Sequence, residues 1–173
     1  MLASLPARRY PLACDAERNR GFVHRLDVPS SGLVLVAKTY EAYYKFQIQL
    51  NTGALIRDYT ILCHGWVPLG RRAISARIHW RSKDFVPSYI CQQGKPAHTR
   101  FNVLGHVTHS GEAFSILAIQ ILTGRRHQIR VHIAGIGHPT VCDGRYAASV
   151  TFESDRCWCQ RNFLHRHRLV FSE

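Results

Sequence analysis

The amino-acid sequence predicts an α+β fold, in which a mostly antiparallel, curved sheet is flanked by a few helices. Six segments before the C-terminal tail have the length and composition of strands, whereas only two segments have the character of longer helices. The chain has 173 residues, of which 46% are hydrophobic, and this is enough for one domain with an ordinary core. These observations together indicate a domain built in layers around one sheet.

The N-terminal half begins with two predicted strands, residues 22–27 and 32–38, joined by turn-forming residues 28–32. The second is a nearly continuous apolar run, which predicts a strand buried on both faces. A helix is predicted over residues 40–50, and the sequence Asn-Thr-Gly at residues 51–53 ends it.

The remaining strands are predicted at residues 55–66, 73–80, 99–109 and 113–122. The last two form a hairpin closed by Ser110 and Gly111, which favour turns. Residues 83–94 are interpreted as an irregular connection. No internal repeat or low-complexity linker interrupts this order.

A second helix is predicted from about residue 124 to residue 136. Ile129, Ile133 and Ile136 recur at helical spacing on one face, and Gly137 with Pro139 ends the helix. The tail, residues 162–171, is predicted to pack a short helix and a strand against the sheet.

The charge of the chain favours a polyanionic partner. Lys and Arg number 23 against 11 Asp and Glu, so the formal charge is +12, and nineteen of the cations are Arg. Arginine binds phosphate with a planar fork and stacks on bases, which is typical of nucleic-acid binding. A basic surface that is merely solvated is the competing interpretation, and charge alone does not choose between them.

The six cysteines are scattered, and no signal peptide precedes them, so we expect reduced thiols in an intracellular protein. No apolar run approaches the roughly 20 residues of a membrane helix, so no membrane association is expected. The sequence does not choose between cytoplasm, nucleus and organelle.

Three stretches are candidates for chemistry. Asp27 follows a predicted strand and precedes a turn, where its carboxylate could project into a cleft or simply cap the turn. Arg57 and Tyr59 lie on the same face of a predicted strand, where the tyrosine ring could stack on an extruded base or belong to the core. In isolation, the structural alternatives are the more common for both.

The third stretch, residues 123–132, is Thr-Gly-Arg-Arg-His-Gln-Ile-Arg-Val-His. Its Gly-led, Arg-rich start could bind phosphate at a helix N-terminus, or form only a solvated basic face. Arg130 falls at the boundary of the predicted core, where a guanidinium needs a carboxylate partner.

Together, the three stretches resemble the signature motifs of the RluA-type pseudouridine synthases, in the family's order and roughly its spacing. Residues 24–38 match the His-Arg-Leu-Asp motif and the Ser-Gly turn and apolar strand that follow it, with Ser30 in place of the usual Thr. Residues 57–59 match the Lys/Arg-x-Tyr motif. Residues 124–132 match the Gly-Arg-x-His-Gln-Ile-Arg-Val-His motif without exception.

The resemblance covers roughly residues 21–171. It continues with Ile-Gly-His-Pro at residues 136–139, with Asp143 and Tyr146, and with Phe-Leu-His at residues 163–165. It implies the pseudouridine synthase catalytic fold and an RNA enzyme that isomerises uridine to pseudouridine.

The resemblance also implies roles for individual residues. Asp27 matches the catalytic carboxylate, Tyr59 the ring beneath the target base, and Arg130 the basic partner that holds the aspartate, which we expect as a bidentate contact. Arg25 matches the residue that fills the gap left by the flipped nucleotide. The further RNA- and substrate-binding residues are His24, Leu26, Arg57, Arg125, His127, Gln128 and Ile129. No cofactor and no metal are implied, and whether Asp27 acts as nucleophile or as base stays open.

The predicted partner is RNA, with ribosomal, transfer and messenger RNA all open, and the protein is predicted to be a monomer. Residues 21–173 are interpreted as the catalytic domain and residues 1–20 as an N-terminal extension, either truncated or disordered. The family's usual N-terminal strand, with its Asn/Asp-Lys-Pro-x-Gly stretch, has no convincing counterpart here, so the fold is expected to lack it.

Two alternatives remain. A non-catalytic RNA-binding protein could retain this fold, and only the incomplete N-terminus favours it. A zinc site could be built from Cys157, Cys159, His165 and His167, but their spacings differ from those of zinc fingers.

Overall fold

A computed structural model describes residues 9–70, 72–81 and 86–172. Two short 3-10 helices, Pro11–Cys14 and Asn19–Gly21, precede the first strand. The elements that follow are β1 (Ser31–Gly32), α1 (Tyr40–Thr52), β2 (Ile56–His64), β3 (Ala73–Ser75), β4 (Ile78–His79), β5 (Tyr89–Ile90), β6 (His98–His109), β7 (Glu112–Ile121), α2 (Gln128–Gly135), α3 (Ser149–Arg156) and β8 (Leu164–Val170).

The strands form one six-stranded sheet in the order β1-β8-β2-β7-β6-β3, while β4 and β5 pair separately. Only β1 and β8 are parallel, and every other neighbouring pair in the large sheet is antiparallel. The predicted α+β class with a mostly antiparallel sheet is therefore confirmed. A register shift in the β2–β8 pair between Asp58 and Tyr59 changes which residues of β8 lie opposite those of β2.

The main core lies between the sheet and α2. Ile61, Leu117 and Ile119 of the sheet belong to one hydrophobic cluster with Ile129 and Ile133 of α2, and all five are buried. Burying each of these side chains stabilises the fold by about 1.5–3 kcal/mol relative to its exposure. This packing holds α2 firmly against the sheet and so determines where Arg130, on the same helix, lies.

A second core positions the segment that carries Asp27. Leu12, Val23, Ala37, Tyr43 and Leu55 are buried together beside α1. Leu12 lies in the N-terminal extension and is fully buried, so this part of the extension packs against the domain. The division of the chain at residue 20 stays a prediction.

Several predicted elements are confirmed with small changes of length. The helix predicted over residues 40–50 is α1, capped by the Thr39 hydroxyl, which accepts from the Ala42 N–H, and ended by Gly53 at φ 79°. The strand predicted at 55–66 is β2. The predicted hairpin is β6–β7, with Ser110 and Gly111 at the turn.

The prediction of two strands at residues 22–27 and 32–38 is wrong. This part of the chain contributes only β1 and an isolated bridge between Phe22 and Val36. The apolar run is buried on one side: Leu35 and Ala37 pack against the second core, whereas Leu33 and Val34 are exposed. A continuous apolar pattern does not distinguish this arrangement from a strand buried on both faces.

Three further predictions need correction. The strand predicted at 73–80 is broken into β3 and β4, and the tail contains β8 without the predicted helix, since α3 precedes it. The helix predicted from residue 124 begins at Gln128. Residues 82–85 of the predicted irregular connection lie outside the described residues, and β5 occupies residues 89 and 90 of the remainder.

Candidate active site

One cleft, of about 500 Å³, collects almost all of the predicted site residues. It lies between the segment before β1, strand β2, the loop that precedes α2, and β8. Ten of the eleven predicted residues line it: His24, Arg25, Leu26, Asp27, Arg57, Tyr59, Arg125, His127, Gln128 and Ile129. The eleventh, Arg130, lies against Asp27 and outside the lining.

Asp27 is positioned by a tight turn. The Ser30 N–H donates to the Asp27 carbonyl oxygen (2.9 Å), so the chain reverses directly after the aspartate. Its side chain is 18% exposed, and Arg130 Nη1 lies 3.6 Å from its Oδ2. Among the described residues that line the cleft, Asp27 is the only carboxylate. The cleft therefore offers one acidic group surrounded by cations.

The expectation of a bidentate contact between Arg130 and Asp27 is wrong. Arg130 makes its bidentate contact with Asp143, through Nε at 2.7 Å and Nη2 at 2.6 Å. Both side chains are almost completely buried. Burial lowers the pKa of Arg130, but the hydrogen bonds and charge of Asp143 more than compensate, so the pKa is raised overall. Arg130 is thus an anchored cation that presents only Nη1 to Asp27.

Three further groups donate hydrogen bonds to the Asp143 carboxylate. It accepts from the Thr140 hydroxyl (3.2 Å) and from the N–H groups of Arg145 (3.0 Å) and Tyr146 (3.3 Å). The guanidinium of Arg130 also lies 5.0 Å from the centre of the Tyr146 ring. The sequence analysis noted Asp143 within the resemblance but did not pair it with Arg130. The two residues are 13 positions apart, and the folding of the segment after α2 brings them together.

Tyr59 and Arg57 project from β2 into the cleft, as strand alternation predicted. Tyr59 belongs both to the main core and to the floor of the cleft, so its place in the core is confirmed and its stacking on an extruded base stays a prediction. Arg57 is buried, and its Nε has no hydrogen-bond partner among the described residues. Burial lowers the pKa of Arg57. A buried guanidinium with an unused donor is suited to bind an anionic or carbonyl group.

Gly124 makes room for Arg57. A Cβ atom on this glycine would lie 2.8 Å from Arg57 Nη1, closer than a real Cβ tolerates. The glycine of the third motif is therefore needed for the close approach of Arg57, and not for a helix start.

The loop before α2 is held by Gln128. Its Oε1 accepts from the Arg125 N–H (3.0 Å) and the Thr123 hydroxyl (2.8 Å), and its Nε2 donates to the His98 carbonyl and the Thr99 hydroxyl (both 3.0 Å). These four contacts explain why α2 begins at Gln128 and not at residue 124. They also engage the whole Gln128 amide, and the part of Gln128 in RNA binding stays a prediction.

His127 lies at the boundary between the loop and α2, in a left-handed conformation with φ 56°. Its Nδ1 is 2.8 Å from the Tyr146 hydroxyl. Burial lowers the pKa of His127, although the charge of Asp27 opposes this. His127 is therefore a neutral imidazole held by Tyr146 at the cleft, and its part in RNA binding stays a prediction.

Arg166 of β8 is a cleft residue that sequence reasoning missed. It is buried, and its Nε (2.9 Å) and Nη2 (2.5 Å) both donate to the Tyr59 hydroxyl. Its Nη1 donates to His24 Nδ1 (2.6 Å) and to the Leu33 carbonyl (3.1 Å). The available signal was alternation along the last strand, where Arg166 follows the inward-facing Leu164 by two residues.

Burial is the main cause of the lowered pKa of His24, and the charge of Arg166 adds to it. Together with the charge of Arg57, these effects lower the pKa of His24 to about 4. The imidazole is therefore neutral near pH 7 and acts as a hydrogen-bond acceptor for Arg166.

Neither a metal centre nor a membrane span is found in the described part of the chain. Within residues 9–70, 72–81 and 86–172, no group of three or more His, Cys, Asp and Glu side chains could hold a metal ion. The four residues weighed for zinc do not form such a group: His165 pairs with Ser31, and His167 with Thr60. Of the helices in these ranges, none has the length and apolar character needed to cross a bilayer.

The chain is similar to one family over most of its length. The sequence model of the family described as RNA pseudouridylate synthase matches residues 6–135. Relatives include the uncharacterized RNA pseudouridine synthase YlyB of Bacillus subtilis, 36% identical over 77% of this chain and 43% of its own length. The ribosomal large subunit pseudouridine synthase D of Nitrosomonas europaea is 38% identical over 73% of this chain and 35% of its own length.

A solved structure has the same fold. The human RNA pseudouridylate synthase domain containing 1 superimposes with a TM-score of 0.75 and 30% identity, over 86% of this chain and 62% of that one. The chain thus spans less than half the length of the two curated relatives described above.

Proposed function

This chain belongs to the RNA pseudouridylate synthase family, and on this basis we propose that it isomerises uridine to pseudouridine in RNA. The observation that carries the proposal is the composition of the cleft. Asp27 is the sole carboxylate among its described lining residues, Tyr59 forms part of the floor, and Arg130 lies behind the aspartate.

The proposed reaction begins with extrusion of the nucleotide, because its glycosidic carbon is inaccessible within a stacked helix. Arg25 is exposed at the edge of the cleft, where its long side chain can fill the gap left in the RNA. The uracil would then rest against Tyr59, with its sugar near Asp27.

The chemical step exchanges one bond to the sugar for another. The C1′–N1 bond breaks with its electron pair leaving on uracil, the base turns, and C5 bonds to C1′. The proton on C5 is lost and N1 gains one, so substrate and product are isomers. Asp27 acts at the sugar in one of two ways: it attacks C1′ and is displaced when C5 bonds to that carbon, or it removes a neighbouring proton and returns it when C5 bonds. Arg130 Nη1 keeps a positive charge beside it. The reaction is neutral in redox terms and uses no phosphate energy, so the proposal requires no cofactor.

The proposed substrate is a uridine in a structured RNA. The +12 charge and the five arginines that line the cleft (Arg25, Arg57, Arg125, Arg126 and Arg166) suit phosphates. Ribosomal RNA of the large subunit is the first substrate to test, because a relative carries that substrate in its name. Such a substrate implies an intracellular location, and a monomeric state stays a prediction.

RNA that contains 5-fluorouridine tests the proposed function directly. Fluorine at C5 prevents the loss of the C5 proton, so the enzyme is expected to hold this RNA in a long-lived adduct or to convert it to a rearranged product. Gel shift under denaturing conditions and mass spectrometry of digested RNA would detect either product. Since the target is unknown, total cellular RNA labelled with the analogue is the substrate of choice.

A non-catalytic RNA-binding protein gives a different result, because it would treat fluorinated and ordinary RNA alike. The trial should include any longer natural form of the chain. If that form neither reacts with fluorinated RNA nor converts any uridine, the enzymatic proposal is refuted.

Gly124→Ala is expected to reduce pseudouridine formation by displacing Arg57. Loss of one hydrogen bond from a charged donor to the substrate costs about 1.5–3 kcal/mol, which corresponds to roughly a ten- to hundredfold lower kcat/KM. Gly105→Ala is the matched control, because a Cβ there meets nothing within 4 Å. Equal activity of the two variants would show that the space at Gly124 is not used for substrate binding.

A further inference from the structure

The guanidinium of Arg166 is buried without an acidic partner. Among the described residues, no carboxylate lies within 4.0 Å of it, and only 3% of the residue is exposed. All five of its N–H groups are nevertheless used, on neutral acceptors. These are the Tyr59 hydroxyl, His24 and the carbonyl oxygens of Leu33 and Arg25.

Such an arrangement is costly for a purely structural residue. Burying a charge without a counter-charge carries a large desolvation penalty, and well-packed apolar residues often stabilise a core at least as well as buried ions. The position of Arg166 at the floor of the cleft, against Tyr59, indicates a functional reason for the charge.

The contacts of Arg166 constrain the hydroxyl proton of Tyr59. A phenol oxygen can accept about two hydrogen bonds and donate one. The Nε–H and Nη2–H of Arg166 use the accepting capacity, so only the O–H remains. Within the described residues, nothing accepts from this O–H, and Tyr59 lines the cleft. The proton is therefore available to a molecule bound there.

Tyr59 is also kept in its protonated form. Burial raises the pKa of Tyr59, and this outweighs the opposite effects of Arg166 and Arg57. Two cationic N–H contacts polarise the hydroxyl and make it a stronger donor without removing its proton.

Building on the proposed function, we propose that Arg166 is a positioning residue that directs the Tyr59 O–H into the cleft to donate to a carbonyl oxygen of uracil. When the C1′–N1 bond breaks, its electron pair remains on uracil, and the negative charge spreads to the O2 and O4 atoms. The Tyr59 hydroxyl stabilises this charge by a hydrogen bond and retains its proton throughout. Arg166 thus acts on the leaving base through Tyr59, while Asp27 acts on the sugar.

A double-mutant cycle tests this arrangement. The wild type, Arg166→Gln, Tyr59→Phe and the double variant are compared in single-turnover pseudouridine formation and in RNA binding. Each single variant should slow the chemical step at least tenfold with RNA affinity nearly unchanged. The double variant should be no slower than Tyr59→Phe, because Arg166 has no hydroxyl to direct in that background.

Arg168→Gln is the matched control. This arginine lies on the same strand, but its side chain is exposed and pairs with Asp58. It should retain the wild-type rate. Additive effects of Arg166→Gln and Tyr59→Phe would overturn the proposal, because Arg166 would then act independently of the hydroxyl. If Arg166→Gln does not fold, the cycle is run with Arg166→Lys, which keeps the charge but loses the fork, and the same non-additivity is expected.

A spectroscopic measurement separates this proposal from the proposed function. With ¹³Cζ-labelled tyrosine, the Tyr59 resonance is assigned by its absence in Tyr59→Phe. Arg166→Gln should shift that resonance and leave the other tyrosines unchanged, and an unshifted resonance would overturn the pairing. If no RNA is converted by any form of the wild type, the enzymatic function fails, and the part of Arg166 in catalysis is overturned with it even where the resonance shifts.

Discussion

Asp27→Asn is expected to abolish pseudouridine formation while leaving RNA affinity within a few-fold of the wild type. An amide of the same shape can neither attack C1′ nor remove a proton from the sugar. RNA affinity depends on contacts to phosphates, which the arginines around the cleft supply. Quantification of pseudouridine in treated RNA measures the first effect, and filter binding at constant salt measures the second.

Asp58→Asn is the matched control for this experiment. Asp58 neighbours Tyr59 on β2, but its carboxylate pairs with Arg168 and with Gln120 outside the cleft lining. Its replacement should leave activity intact. Appreciable turnover by pure Asp27→Asn protein would exclude the mechanism proposed here, because no other described carboxylate lines the cleft.

Arg130→Ala is expected to remove activity and to destabilise the fold by about 3–5 kcal/mol, because it breaks a buried ion pair and leaves one charge unpaired. The stability loss arises at Asp143, whose side chain is completely buried, and the activity loss arises at Asp27, which loses its neighbouring cation. Urea denaturation with unchanged m-values would measure the first effect. Arg130→Lys should also fail, because an ammonium group cannot reproduce the bidentate contact.

A paired replacement separates the two effects of Arg130. Arg130→Met combined with Asp143→Leu removes both buried charges and should recover much of the lost stability. It should not recover activity, because the cation beside Asp27 is still missing. Normal stability and activity of Arg130→Ala would show that neither ion pair forms in solution. Recovery of activity in the double variant would show that Arg130 contributes to stability and not to catalysis.

The site residues could be named from sequence because they occur in three compact motifs whose joint spacing is specific. His24 to Asp27, Arg57 with Tyr59, and the loop before α2 converge on one cleft. Their chemical roles stay predictions, since these roles rest on resemblance and on geometry without a bound substrate. Arg166 was missed because its one local signal, a position two residues after Leu164 on the last strand, does not by itself distinguish a buried arginine from a solvated one.

The sequence by itself determined the elements whose signals are local. Helix α1 follows from its cap and its terminal glycine, and the β6–β7 hairpin follows from alternation and a two-residue turn, since backbone hydrogen bonds within such units join residues that are close along the chain. A continuous apolar run does not show which segments of the chain pack against it. Residues 32–38 were therefore predicted as a strand that the structure lacks.

Only the tertiary structure decided the partners of the buried arginines. Arg130 makes its bidentate contact with Asp143 and not with Asp27. Arg166 binds the hydroxyl of Tyr59, which lies 107 residues away along the chain. The energy of a buried guanidinium changes when its distances to its hydrogen-bond partners change by a few tenths of an ångström, and packing brings those partners together. Residue identity shows that such a group needs partners, whereas the register between β2 and β8 and the packing of α2 determine which ones it finds.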